Sequence, residues 1–282
     1  MSMDMASHLM SATVEVEQPL ADGRHMVGTG FLISDPAPDG RPRTILVTAN
    51  HVLDKMPGRQ AHIGYRVQGK DGAWTYDPTP IAIRAGGKPL WVRNPTSDVA
   101  AIEVKAPPEF ARAAIPLAWL ADGNVFARAS VGPGDEMMVL GYPQGLSANT
   151  AGFPILRSGR IASPIDAVDV SPTFLLDFRV FPGNSGGPVF MTRAGADGAP
   201  ANPVVMGMLT QQVELNNERL EIGVVTDAPF IRETLALLDA PGRKPATPVA
   251  MTAEKDAAAT MAMAPTQGAS AWVGTHVSDG PF

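Results

Sequence analysis

Residues 181–189 read Phe181-Pro182-Gly183-Asn184-Ser185-Gly186-Gly187-Pro188-Val189, and the meaning of this stretch decides the fold. A serine hydroxyl is a poor nucleophile. It acts only where a base can reach it and where backbone N–H groups converge on the oxyanion its attack creates. Glycines on both sides of Ser185 meet the second condition. Gly183 and Gly186 are free to take backbone angles closed to other residues, which lets the N–H groups of Gly183 and Ser185 turn into one hole. The alternative is a glycine-rich turn between two strands with no chemistry attached. The rest of the chain must decide, by supplying a base and an acid or failing to.

Of the five histidines, His51 stands apart by its context. The run Thr44-Ile45-Leu46-Val47-Thr48-Ala49-Asn50-His51 is an apolar strand entering a small-residue turn, a setting that would hold an imidazole rigidly at a strand end. His8, His25, His62 and His276 have no such setting, and no HExxH or paired-histidine spacing points to a metal. An imidazole acting as base needs a carboxylate on its other nitrogen to fix the tautomer and stabilise the imidazolium. Asp98 is the candidate. It opens the apolar run Asp98-Val99-Ala100-Ala101-Ile102-Glu103-Val104, although an acid in that place is also a common turn residue.

Working outward, 28 glycines and 27 prolines with only 18% charged residues suit many strands broken by many turns. Strand-like runs are expected at 13–16, 26–34, 44–47, 81–83, 99–104, 137–140, 155–156, 174–176, 188–190, 204–209 and 222–225, with breakers between them such as Gly132-Pro133-Gly134 and Gly195-Ala196-Asp197-Gly198. One helix closes this region, capped by Asp227, with Pro229 in its first turn and Ile231, Leu235 and Leu238 on one face. The reading is all-β, with an N-terminal extension at 1–12, one body at 13–240 and a flexible, low-complexity tail at 241–282.

The net charge of −6 and the absence of a Lys/Arg run argue against nucleic acid as a partner. No apolar stretch is long enough to span a membrane, and the opening MSMDMASHLM lacks the features of a secretory leader. The chain as written is therefore expected in the cytoplasm, with export left open. With no cysteine, disulfides, thiolate metal sites and a cysteine nucleophile all fall away.

The blocks around His51 (Thr48-Ala49-Asn50-His51-Val52), Asp98 (Ser97-Asp98-Val99-Ala100-Ala101-Ile102) and Ser185 (Gly183-Asn184-Ser185-Gly186-Gly187-Pro188-Val189) resemble the three signature blocks of chymotrypsin/trypsin-like serine endopeptidases, in that family's order. Gly28-Thr29-Gly30-Phe31, the run from Gly134 to Pro143, and Gly223-Val224-Val225-Thr226 resemble weaker family blocks. The lack of cysteine and the Asn184 before the nucleophile resemble the bacterial HtrA-like branch, here without a PDZ domain.

The resemblance implies two six-stranded antiparallel β-barrels with a C-terminal helix, and a cleft between them that binds polypeptide substrates. It implies a triad of His51, Asp98 and Ser185, an oxyanion hole from Gly183 and Ser185, and a Thr210 hydroxyl supporting the acid. The primary pocket would involve Arg179, Val180, Gln212 and Gly223. If Arg179 points inward the pocket favours an acidic side chain; if it turns to solvent, Val180 or Phe181 lines a small apolar one. No cofactor or metal is called for. The competing readings are a catalytically silent peptide-binding module on the same fold and an acyl hydrolase on the same triad. The order His51, Asp98, Ser185 along the chain speaks against an α/β-hydrolase, whose triad runs serine, acid, histidine.

Overall fold

Thr44–Ala49 is buried along its whole length, and the first half of the chain is laid out around it. The computed structural model describes residues 5–123, 131–165, 173–191, 204–216 and 218–240, all within one compact unit, Met1–Pro248. In chain order the first half runs α1 (Met5–Ala12), β1 (Thr13–Pro19), β2 (His25–Ser34), β3 (Thr44–Ala49), α2 (Asn50–Lys55), β4 (Gln60–Gln68) and β5 (Trp74–Ala82), followed by β6 (Arg84–Ala85), β7 (Lys88–Pro89), β8 (Val92–Arg93), β9 (Val99–Val104), α3 (Pro108–Ala113) and β10 (Ile115–Pro116). The second half comprises β11 (Glu136–Gly141), β12 (Ile155–Ile161), β13 (Thr173–Asp177), β14 (Pro188–Met191), β15 (Val204–Leu215), β16 (Glu218–Asp227) and α4 (Ala228–Ala236).

The second half closes into a six-stranded barrel in the order β11-β12-β13-β16-β15-β14, with β14 returning to pair β11 at Met138–Phe190 and Val139–Val189. The first half differs from the expected second barrel. Its eight-stranded sheet follows the open path β5-β4-β1-β2-β3-β9-β8, with β10 added alongside β2, and among the described residues no ladder joins β5 to β8. The two edges explain this. Strand β5 carries Pro78 and Pro80 opposite Gly64 and His62, and proline has no N–H to offer a further strand. Strand β8 is only two residues long.

The β4–β5 hairpin is absent from the sequence expectation apart from its last residues. Helix α4 lies where expected and buries Ile231 and Leu235, while Leu238 falls in the short 3-10 turn that follows. Asp227 occupies its N-cap position, but its carboxylate makes no capping bond. The expected extension at 1–12 contains α1, which buries Leu9 and Ala12. The Gly195–Gly198 turn and the 241–282 tail lie outside the described residues. Among those described, no helix is long and apolar enough to cross a membrane.

Two buried acids follow from this packing. Glu15 on β1 accepts a hydrogen bond from Tyr76 Oη (2.9 Å), and burial pushes its pKa from 4.5 up to about 7, with the charge of nearby Glu17 adding to the rise. Burial likewise raises Asp227 from 3.8 to about 7. The folded protein holds both protons more tightly than the unfolded chain does. The stabilisation is therefore complete below about pH 4 and is lost as the pH rises through 7. Melting temperature should fall between pH 5 and pH 8. Glu15→Gln and Asp227→Asn should each flatten that slope, by an amount on the order of 3 kcal/mol at pH 8. Calorimetry at the two pH values checks this.

Candidate active site

Strand β3 runs directly into α2, so His51 sits in the first turn of a short helix instead of in a turn at a strand end. The β3–β9 ladder places Ala49 opposite Val99, which sets Asp98 beside His51. One carboxylate oxygen, Oδ2, lies 2.6 Å from His51 Nδ1, and the other accepts the His51 backbone N–H at 3.0 Å. Two contacts from one carboxylate to one residue fix the ring's orientation, place the proton on Nδ1 and leave Nε2 free to accept another. Both side chains are only partly exposed, 29% for His51 and 21% for Asp98.

Residues not singled out from sequence hold this pair. Asn94 Oδ1 accepts hydrogen bonds from the N–H groups of Thr96 and Ser97 (2.9 and 3.0 Å) and so shapes the turn that presents Asp98. The Asn94 amide donates to Phe230 O and Thr234 Oγ1 on α4. Arg84 stacks over Trp91 and donates to the last carbonyls of α2, at Leu53 and Asp54, where a cation suits the helix C-terminus. Trp91 Nε1 donates to Asn50 Oδ1 (2.9 Å).

The Ser185 turn is built from the other half. Gly183 and Gly186 adopt φ +93° and +92°, the left-handed region that a side chain disfavours. A Cβ on Gly183 would lie 2.2 Å from Tyr142 O, and one on Gly186 would lie 1.9 Å from Thr29 O. Thr29 spans the two halves. Its N–H donates to Ser185 O (2.8 Å), its hydroxyl donates to Gly183 O (2.7 Å), and its carbonyl accepts from Thr48 Oγ1 (2.6 Å). Asn184 is buried, and its Nδ2 has no hydrogen-bond partner among the described residues.

Ser185 Oγ donates to the main-chain oxygen of Thr210 at 3.0 Å, and no hydrogen bond to His51 is formed. The Thr210 hydroxyl does not support Asp98 as expected. It is buried in the barrel, where it donates to Val224 O (3.2 Å) and accepts from Thr226 Oγ1. His51, Asp98 and Ser185 nonetheless line one cleft of about 710 Å³, together with Gly183, Val180, Phe181 and Gln212.

Two pocket expectations change. Arg179 lies outside the cleft lining, because its guanidinium pairs with Glu221 on the surface at 3.2 Å with both side chains more than half exposed. Gly223 also lies outside the lining and packs against Val180 and Leu209. His25, which has no telling sequence context, lines the cleft and pairs with Glu17 (2.9 Å). Among the described residues no group of three or more histidine and acidic side chains could hold a metal ion.

The family model described as trypsin-like peptidase domain matches residues 28–196, more than half of the chain. Among solved structures, the HtrA-type protease AlgW with tripeptide is similar at 16% identity, over 84% of this chain and 63% of that one, with a TM-score of 0.52. A variant of it with tripeptide gives 16%, 85%, 64% and 0.52. The same protease with decapeptide gives 15%, 84%, 67% and 0.50. The chain thus spans less than two thirds of the first two, and likeness at this identity shows the fold alone. No curated protein matches the sequence.

The lack of room at the turn yields a stability test. Gly183→Ala adds both left-handed strain and a clash with backbone, together roughly 3 kcal/mol, which corresponds to a fall in melting temperature of about 10 °C. Gly40→Ala is the control. Gly40 has φ +81° with nothing within 4 Å of the added methyl, so only the strain of about 1–2 kcal/mol should appear. Thermal unfolding of the two variants side by side measures the difference.

Proposed function

Because the chain belongs to the trypsin-like peptidase domain family, we propose that it is a serine endopeptidase that cleaves polypeptides by acyl transfer through His51, Asp98 and Ser185. The observation that carries this reading is the 2.6 Å contact between His51 Nδ1 and Asp98 Oδ2 in the same cleft as Ser185. An oriented imidazole beside a serine flanked by left-handed glycines is what acyl transfer requires.

In the reaction, the Ser185 hydroxyl leaves Thr210 O and turns to His51 Nε2, which takes its proton as Oγ attacks the substrate carbonyl. The N–H groups of Gly183 and Ser185 receive the oxyanion. Neither donates to another protein group among the described residues, so both are available to substrate. Asp98 stabilises the imidazolium, which then protonates the leaving amine and breaks the C–N bond. Water, deprotonated by His51, releases the acyl group by the same path.

The cleft also supports a primary specificity. Val180 is buried and Phe181 lies beside it on the lining, while Arg179 is held outside by Glu221. A small or medium apolar side chain before the scissile bond fits this surface better than an acidic one. Cleavage profiling on a denatured proteome should show apolar residues enriched at that position. An acidic preference would mean that Arg179 swings inward.

The catalytic reading itself is tested by labelling with a fluorophosphonate followed by peptide mapping. The label should fall on Ser185, and Ser185→Ala and His51→Ala should each remove nearly all peptidase activity without adding to one another. Asp98→Asn should lower kcat by about 10⁴, because an amide at that position favours the wrong tautomer. An unlabelled but peptide-binding wild-type protein would establish the silent module instead. Ester hydrolysis without peptide hydrolysis would establish the acyl hydrolase.

A further inference from the structure

Arg66 on β4 is only 2% exposed and is among the largest fully buried side chains of the protein. Among the described residues no carboxylate is hydrogen-bonded to it. Its guanidinium is sandwiched between the rings of Phe110 and Phe153, 4.9 and 4.8 Å from their centroids. It donates to Tyr142 Oη (3.0 Å), Gly152 O (3.1 Å), Met10 O (3.2 Å), Ser11 O (2.9 Å) and Thr13 O (3.0 Å). Burying a cation is costly, and it persists only where hydrogen bonds replace its hydration. Here those bonds come from three places: the last turn of α1, the start of β1, and the segment after β11.

That segment leads to the oxyanion turn. The Tyr142 N–H donates to Thr29 Oγ1 (3.1 Å), the same hydroxyl that holds Gly183 O, and Tyr142 O lies where a Cβ on Gly183 would fall. Two residues on, the Gln144 N–H donates to Pro182 O at 2.6 Å. In a trans peptide the C=O and the following N–H point in opposite directions. Fixing Pro182 O on the Gln144 side therefore turns the Gly183 N–H toward the cleft. Gln144 makes that bond from a left-handed conformation, φ 55°, which a non-glycine residue keeps only where its surroundings impose it.

Resting on the endopeptidase reading above, we propose that Arg66 is a positioning residue for the oxyanion hole. With Tyr142 it holds the 142–145 turn that aims the Gly183 N–H into the cleft, and it makes that setting depend on α1 being docked. Peptide bond cleavage then senses an element of the opposite half of the molecule that never touches substrate.

The test uses the full chain with Arg66→Met, Arg66→Lys and Tyr142→Phe. The last removes one hydroxyl and guards against a variant that fails to fold. Arg43→Met serves as a stability control, since it deletes another buried arginine, one that joins Asp35 to Asp239. On a fluorogenic peptide that the wild type cuts, Arg66→Met and Tyr142→Phe should lower kcat about tenfold or more with KM within twofold, the signature of an interaction made only in the transition state. Affinity for the matching peptide aldehyde, whose adduct carries the oxyanion, should fall by the same factor. Arg66→Lys should recover part of it, and Arg43→Met should leave kcat unchanged while it remains folded.

With glycine labelled by ¹⁵N, the Gly183 amide resonance should move or broaden in Arg66→Met and Tyr142→Phe, a readout that needs no activity. Folded variants with unchanged kcat and an unmoved Gly183 resonance would overturn the proposal. A wild type that neither cuts peptide nor takes the fluorophosphonate, but whose Gly183 resonance still responds to Arg66, would overturn the endopeptidase reading and leave the positioning role in place.

Discussion

The site depends on how closely the two halves approach at Thr29. This residue spends its N–H on Ser185 O, its carbonyl on Thr48 Oγ1, and its hydroxyl on Gly183 O and Tyr142 N–H. Thr29, Thr48, Gly183 and Tyr142 are buried, so losing one of these partners leaves a polar atom without water or protein to bond. The approach is close enough that Gly186 has no room for a methyl against Thr29 O. The barrel alone does not set the Ser185 turn. A strand from the open sheet is pressed against it, and backbone meets backbone across the interface.

The proposed acid and base are positioned by a different device. His51 and Asp98 follow and precede neighbouring strands, so the β3–β9 register sets their separation before any side-chain bond forms. The turn at Asn94 and the cap by Arg84 then hold the Asp98 turn and the end of α2. Register is robust where both strands are buried, because a one-residue slip would turn every side chain to the wrong face. Ser185, by contrast, relies on glycine conformations that no ladder enforces. Its support has to come from outside the turn, from Thr29 and from the 142–145 segment.

How much of this was legible in the sequence follows from the same division. The strands and the residues of the site could be read because local chemistry marks them: a buried apolar run ending at His51, an acid opening another, and a serine among glycines. The β4–β5 hairpin could not, since Arg66 interrupts the apolar pattern of β4 and Pro78 and Pro80 read as breakers in β5. The open path of the first sheet was hidden for a related reason, because family resemblance carries topology but not which edge a proline leaves unpaired. The roles of Thr29, Asn94 and Tyr142 rest on contacts across roughly 110 to 150 residues of sequence, and no local pattern announces such contacts. Thr210 shows the converse error, since matching by position located the residue but could not show that its hydroxyl faces the barrel while its carbonyl faces the cleft.

That carbonyl also locates the motion that the proposed chemistry needs. The Ser185 hydroxyl bonded to Thr210 O is in a resting orientation, and a neutral hydrogen bond of this kind has a net worth of about 0.5–1.5 kcal/mol. In the proposed reaction it is exchanged for a bond to His51 Nε2, one hydrogen bond replacing another. The change therefore costs little beside the barrier of the reaction. The proposed oxyanion donors are backbone groups held by Thr29 and Gln144, and turning either would mean breaking hydrogen bonds to the main chain. On the proposed mechanism, preorganisation resides in the main chain and mobility in a single hydroxyl, the division that electrostatic stabilisation of a transition state favours, since fixed dipoles need no reorganisation when charge develops.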